Sequence, residues 1–232
     1  MLSAVEGVDE VTAKAALCIR TRKQLERVMS ELSAISCKSI VGVDEAGRGP
    51  IAGPVVAAAV CLPEDFSALH ELRDSKVLTE GERLRLYKLL RKEAIIGIGM
   101  ASPKEIDRLN IQRATLLAMK RAIQRLKIEP DALLIDGPPL GELPYSCIWV
   151  IDGDAMCPPI SAASIVAKVV RDRLMIRAHK LYPQYGFDAH KGYATQLHKR
   201  MLIEHGPCPI HRLSFAPVRM ALVPKLPCEG AE

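Results

Sequence analysis

What this sequence lacks narrows it first. Its seven cysteines, Cys18, Cys37, Cys61, Cys147, Cys157, Cys208 and Cys228, are odd in number and show no C-x-x-C spacing, which argues against both a disulfide framework and a structural zinc. No run approaches the roughly 18 apolar residues that a membrane span needs. The N-terminus carries Glu6, Asp9 and Glu10 and no long apolar core, unlike a signal peptide. A reduced, cytoplasmic protein with no membrane partner is expected. There is no internal repeat, and the glycine-rich "GRGPIAG" lacks the G-K-[ST] ending with which a P-loop holds phosphates.

What is present is a chain of 232 residues, one quarter charged, long enough for a single domain with a large core. The net charge of +5 is unevenly spread: residues 168–225 hold eleven Lys/Arg against Asp172, Asp188 and Glu204. Such asymmetry fits a polyanionic partner or a solvated helix face, and charge alone does not separate the two.

Hydrophobic periodicity gives the elements. "TRKQLERVMSELSAI" spaces Leu25, Val28, Met29, Leu32 and Ile35 helically, with Thr21 and Gln24 set for a capping box; it reads as an amphipathic helix in an N-terminal extension, residues 1–38, appended ahead of the core. Ile40 to Val43 and Val55 to Val60 read as buried strands. Capping boxes at Thr79/Glu82 and Ser102/Glu105, the second with Pro103 at the first helical position, start two further helices around the strand "AIIGIGMA". "NIQRATLLAMKRAIQRLKI" and "ISAASIVAKVVRDRLMIRAHKLY" read as long helices, "DALLIDG" and "YSCIWVIDGD" as strands, and "ATQLHKRMLIEH" as a last helix stopped by Gly206 and Pro207. The Pro-rich tail, 221–232, is expected to be loose. Locally paired strands followed by strands alternating with helices predict an α/β fold with a mixed central sheet flanked by helices, plus a C-terminal helical region.

Three of these strands end in acid: Asp44 with Glu45, Asp136, and Asp154 just past the third. An Asp before Gly is often only a turn residue. Asp44-Glu45 is harder to dismiss, because neither residue favours a strand and burying a charge is costly unless it is paired or bound to a metal. Alternation sends the two side chains to opposite faces, so both serve one site only if the strand is ending there, which Gly47 and Gly49 make plausible. Strand ends gather functional groups in open α/β sheets. Two carboxylates about 4 Å apart repel by roughly 4 kcal/mol at an effective dielectric near 20, so a cluster of four calls for cations. Hard oxygen donors favour Mg²⁺ or Mn²⁺, and two such ions suit in-line phosphodiester hydrolysis.

"VGVDEAGRGPIAGPVVAAAV", "RDSK", "LLIDG", "GDAMCPPISAASIVAKVVRDRLM", "YPQYGFDAHKGYATQLH" and "HRLSFAPVR" occur in order between about Ser39 and Met220. Together they resemble ribonuclease HII, the bacterial type 2 ribonuclease H. The resemblance implies a ribonuclease H-like fold over residues 39–220 and Mg²⁺- or Mn²⁺-dependent cleavage of the RNA strand of RNA–DNA hybrids. It also implies incision 5′ of single ribonucleotides embedded in duplex DNA, leaving 3′-hydroxyl and 5′-phosphate ends. Carried over by position, Asp44, Glu45, Asp136 and Asp154 are the metal ligands. Gly47, Arg48 and Gly49 bring backbone to the 2′-hydroxyl, which distinguishes RNA from DNA, and Tyr193 reads the junction. Lys76, Lys168 and Arg171 are candidate phosphate contacts, with helix capping or a pair with Asp172 as the other reading of the last two. Ser161 and Ser164 are either polar groups near the site or small packing residues.

The five histidines of the C-terminal third fit no zinc spacing and read as packing or solvated residues, and His211 and Arg212 as mainly structural. The family commonly has Lys where this chain has Asp152, a charge reversal that bears on metal preference and rate. A monomer is expected; recruitment by a replication clamp or polymerase is left open. A non-catalytic nucleic-acid-binding module would leave the acidic strand ends unexplained, and a ribonuclease H restricted to long hybrids would share the chemistry but not single-ribonucleotide incision.

Overall fold

The computed structural model describes residues 17–34, 37–72, 77–143, 145 and 147–222. Ile35, Lys76 and the expected loose tail beyond Leu222 lie outside them.

Six strands form one mixed sheet: β1 (Leu17–Ile19), β2 (Ile40–Ala46), β3 (Val55–Cys61), β4 (Ile95–Ala101), β5 (Ala132–Asp136) and β6 (Cys147–Val150), in spatial order β1-β6-β5-β2-β3-β4. β2, β3 and β4 are antiparallel neighbours, as expected of short connections, whereas β5, β6 and β1 run parallel to β2. β2 is therefore where the strand order turns, with chain continuing to both sides of it.

The sheet is covered on both faces, which is why its strands are continuously apolar rather than alternating. One face packs Val41, Val43, Ala57, Ala59, Leu133 and Ile135 against α4 (Ile111–Ile123). The other packs Ala58 and Val60 against α2 (Glu80–Glu93) and α6 (Pro158–Leu181). The small residues Ser161, Ala162, Ala163, Ser164 and Ala167 are buried on α6 and let it lie close to the sheet. At Gly42 the approach is backbone to backbone, since a Cβ would stand 2.0 Å from the carbonyl carbon of Pro159. Both expected capping boxes form, on α2 and on α3 (Pro103–Leu109). At α1 (Arg22–Ala34), Thr21 accepts from the Gln24 amide, but the Gln24 side chain caps Arg20 rather than Thr21, so the box is displaced by one residue.

The described part of the N-terminal segment packs on the sheet. Leu17–Ile19 adds β1 to the edge of the sheet beside β6, and Ile19 and Leu25 pack with Leu134, Val150, Cys157 and Ile160. Part of the expected extension thus packs on the sheet, through a strand whose three residues are too short for a periodic signal. After α6 come α7 (Phe187–His190), α8 (Gln196–His205) and α9 (Ala216–Leu222), the expected C-terminal helical region. No helix among the described residues is long and apolar enough to cross a membrane.

Candidate active site

Asp44 and Glu45 do not end β2. The strand continues to Ala46, with Asp44 opposite Ala58 and Glu45 opposite Ala57 on β3, whereas its pairing with β5 stops at Val43–Ile135. The acidic pair therefore lies where β2 has lost one neighbour. Asp136 is the last residue of β5, one step beyond that final pair. β6 ends at Val150, and a turn leads to α5 (Gly153–Met156), whose amides of Gly153 and Asp154 donate to Asp136 Oδ1 at 2.8 and 3.3 Å.

Acidic residues from three chain segments are thus neighbours, and local donors hold Asp44 and Glu45 as well. Asp44 Oδ1 accepts from the Glu45 amide at 2.6 Å, and Ser164 of α6 also hydrogen-bonds Asp44. Glu45 Oε1 lies 3.3 Å from Arg48 Nη1. Burial, then the charges of Glu45 and Asp136, push the Asp44 carboxyl well above its ordinary range. Burial also raises Glu45, with Arg48 opposing and Asp136 adding to the shift. Asp44 and Asp154 are each only 5% exposed. Among the described residues no three His, Cys, Asp or Glu side chains are grouped as a ready metal cage. The donor set nevertheless fits a hard divalent cation: oxygen-only, with Asp44 and Asp154 buried and Glu45 and Asp136 partly so, and carrying more negative charge than Arg48 offsets.

Asp152 adopts the left-handed conformation, φ +52°, ψ 38°, just before α5. Asp tolerates that backbone better than most residues. Its side chain is exposed, outside the buried group.

Beside the carboxylates runs the Gly47–Gly49 loop. Gly47 has φ +98°, and a Cβ there would meet Arg171 Nε at 2.0 Å, so glycine is required both for the turn and for the close packing. A Cβ on Gly49 would stand 3.6 Å from Tyr193 Cε1, so the half-exposed tyrosine ring borders this loop. The structure places Asp44, Glu45 and Asp136 within electrostatic reach of one another, with the Asp154 amide on Asp136, and sets the glycine-arginine-glycine backbone against Glu45 through Arg48 and against Tyr193 through Gly49.

It does not leave two of the basic residues free for phosphate. Arg171 is 1% exposed, and its guanidinium donates to the carbonyls of Ala52, Pro54 and Lys191. The expectation of a phosphate contact is corrected there: the long side chain is spent bracing the loop from beneath. Lys168 pairs with Asp172 at 3.0 Å, the other reading of that residue.

Two groups expected to be structural or packing residues have specific partners. Arg212 is fully buried and donates to the carbonyls of Gly47 (2.6 Å), Arg48 (2.9 Å) and Gly53 (2.9 Å). His198 and His211, also buried, are joined through their Nε2 atoms at 3.0 Å. The structural reading of His211 and Arg212 comes from the motif "HRLSFAPVR"; their partners, distant carbonyls and a second histidine, are set by the fold.

With this geometry in hand, comparison with known proteins gives a consistent answer. The family model described as Ribonuclease HII matches residues 41–218. A ribonuclease HII of Maricaulis maris is 53% identical over 184 residues, 79% of this chain and 84% of that one. Among solved structures, the ribonuclease H2 of Pyrococcus horikoshii superposes with a TM-score of 0.69 at 29% identity, covering 79% of this chain and 96% of that one. A Bst ribonuclease HIII crystallised with Mn²⁺ shares the fold, with a TM-score of 0.64 at 19% identity over 79% of this chain and 69% of that one.

Proposed function

This chain belongs to the ribonuclease HII family and is a metal-dependent endonuclease; on that premise we propose that it hydrolyses the RNA strand of RNA–DNA hybrids and incises 5′ of single ribonucleotides in duplex DNA. The reading is carried by one observation: Asp44, Glu45 and Asp136 interact electrostatically where the pairing of β2 with β5 stops, beside a glycine loop bordered by an exposed tyrosine.

Asp44, Glu45, Asp136 and Asp154 would hold Mg²⁺ or Mn²⁺. Bound there, a pair of such ions supplies a water of lowered pKa and neutralises charge on the scissile phosphate. The chain's own residues do the rest. The amides of Gly153 and Asp154 fix the Asp136 carboxylate, and Ser164 fixes Asp44, so the ligands are oriented before substrate arrives. The Gly47–Gly49 backbone, free of side chains at its two ends, can approach a 2′-hydroxyl closely, and Tyr193 can stack on the neighbouring sugar. Attack of water on the phosphorus with departure of the bridging 3′-oxygen leaves 3′-hydroxyl and 5′-phosphate ends. The enzyme is proposed to act in the cytoplasm.

The deciding experiment offers a DNA duplex containing one ribonucleotide to the purified protein with Mg²⁺, with Mn²⁺ or with EDTA. A single cut 5′ of the ribonucleotide, abolished by EDTA, is expected. Cleavage confined to long hybrids would reject single-ribonucleotide incision, and no cleavage with either ion would reject the activity.

A further inference from the structure

His211 and Arg212 are adjacent in the chain, yet they reach the two halves of the proposed ribose-reading site separately. Arg212 holds the carbonyls of Gly47 and Arg48 inward. All described peptides are trans, so each carbonyl and the following amide N–H point in opposite directions. Fixing the two carbonyl oxygens on the guanidinium therefore aims the N–H groups of Arg48 and Gly49 outward from the protein. A backbone with successive N–H groups turned outward is a recognition surface for an oxyanion or a hydroxyl.

His211 works in the other direction. Its Nδ1 is nearer the Cys208 amide, which donates to it at 2.9 Å, than the Cys208 carbonyl at 3.3 Å, which places its proton on Nε2. That proton meets His198 Nε2, 3.0 Å away, so His198 carries its own proton on Nδ1, 2.8 Å from the carbonyl of Tyr193. One neutral tautomer chain thus runs from the 208–211 turn to the backbone of the exposed tyrosine. Main-chain bonds close the assembly: Arg212 N donates to Ile51 O, Gly53 N to Ile210 O, and Ile51 N to Gly192 O, each at 2.8–2.9 Å. The carboxylate of Asp107 on α3 anchors the far side, accepting from the amides of Leu213 and Ser214 and from the Ser214 hydroxyl.

We propose that His211-Arg212 is a positioning unit that holds the Gly47–Gly49 backbone in register with Tyr193 and so determines which phosphate is cut. The unit touches neither substrate nor the reacting atoms; it acts through the two elements that do. The inference rests on the activity proposed above, and the test separates the two.

The substrate is a DNA duplex carrying four consecutive ribonucleotides, and the readout is the position of each cut as well as the rate. Cleavage by the unaltered protein establishes the activity independently of the inference; without it the functional reading itself fails. Arg212→Lys keeps the charge but cannot bridge three carbonyls. A displaced recognition loop predicts cuts spread over neighbouring phosphates and a fall in kcat on the order of 10²-fold, with KM changed less. Asp107→Ala, which releases Leu213 and Ser214 without touching the buried guanidinium, is made alongside and decides the question if Arg212→Lys is unfolded; it is expected to spread the cuts in the same way. A slower enzyme that still cuts at the unaltered position would show that these residues only support the fold, and would overturn the proposal.

Discussion

At Asp44, function and stability oppose each other. Its carboxyl is buried and held above its ordinary pKa by burial and by Glu45 and Asp136, so the charge needed for metal binding is a cost to the folded state at neutral pH. Asp44→Asn removes that charge while keeping its size. The expected result is loss of cleavage together with a higher melting temperature in metal-free buffer, about 2–4 °C for each kcal/mol recovered. Addition of Mg²⁺ should raise the melting temperature of the unaltered protein and have less effect on the variant. A variant that is inactive because it melts lower would contradict this account. The histidine pair gives a second residue-level prediction. Burial lowers His198 and His211 to about 4; His190 stacks on His198, and Tyr185, Phe187 and Cys208 complete the surroundings. A depressed folded pKa means that the pair's contribution is whole above the unfolded value near 6.5 and is lost as pH falls toward 4. Imidazole resonances should therefore stay flat through pH 6.5 and titrate only near 4. A midpoint near 6.5 for either ring would show that the neutral chain to Tyr193 does not hold. Both groups are visible in the sequence as residues, but only the carboxylates announce a chemistry. Acid within an apolar strand is anomalous by itself, whereas the carbonyls that a buried histidine or arginine will meet are not written in its neighbours.

At the scale of elements, legibility follows the length of the pattern. α2, α3 and α6 carry many turns, proline or capping boxes, and lie where periodicity puts them. β1 has three residues and no such signal, so the N-terminal segment reads as an appendage although it completes the sheet. The end of β2 is hidden for a different reason: alternation describes a strand with two neighbours, and here one neighbour stops early. This arrangement makes a prediction for the N-terminal layer. Deleting residues 1–36 strips β1 from β6 and uncovers Leu134, Val150 and Ile160. It also leaves an unpaired edge of the kind that recruits other chains. The truncated protein should unfold at lower urea and aggregate at concentrations where the full chain does not, with both read by fluorescence of Trp149 and by light scattering. Unchanged stability would mean that α1 and β1 are dispensable additions after all. Within the same fold, the Thr79 cap supplies an internal scale, since Thr79→Ala should cost only about 1 kcal/mol.

For the whole molecule, the charge asymmetry of the C-terminal third needs its locations before it predicts anything. Arg171 and Arg212 are buried under the glycine loop, and Lys168 is paired with Asp172. Of the basic residues between 168 and 222, Arg173, Arg177, Lys180, Lys199, Arg200 and Arg219 are exposed, and Arg173 sits over the ring of Tyr87. The sequence count therefore overstates the surface available to phosphates. Binding of an uncleaved hybrid to the Asp136→Asn variant should weaken with salt, because each neutralised phosphate releases condensed counterions. If these six exposed groups were all engaged, the slope of log K against log salt would be no steeper than about −5. Replacing Lys199 and Arg200 with Gln on α8, the helix that follows Tyr193, should flatten it by about one for each phosphate no longer neutralised. The weakening should be similar for hybrid and plain DNA duplexes, because groups that meet only phosphate carry no information about the sugar. A steeper slope in the unaltered protein would move part of the nucleic-acid surface onto the sheet-flanking helices, where Lys and Arg also occur. A weakening confined to hybrids would instead place Lys199 or Arg200 against the ribose strand itself.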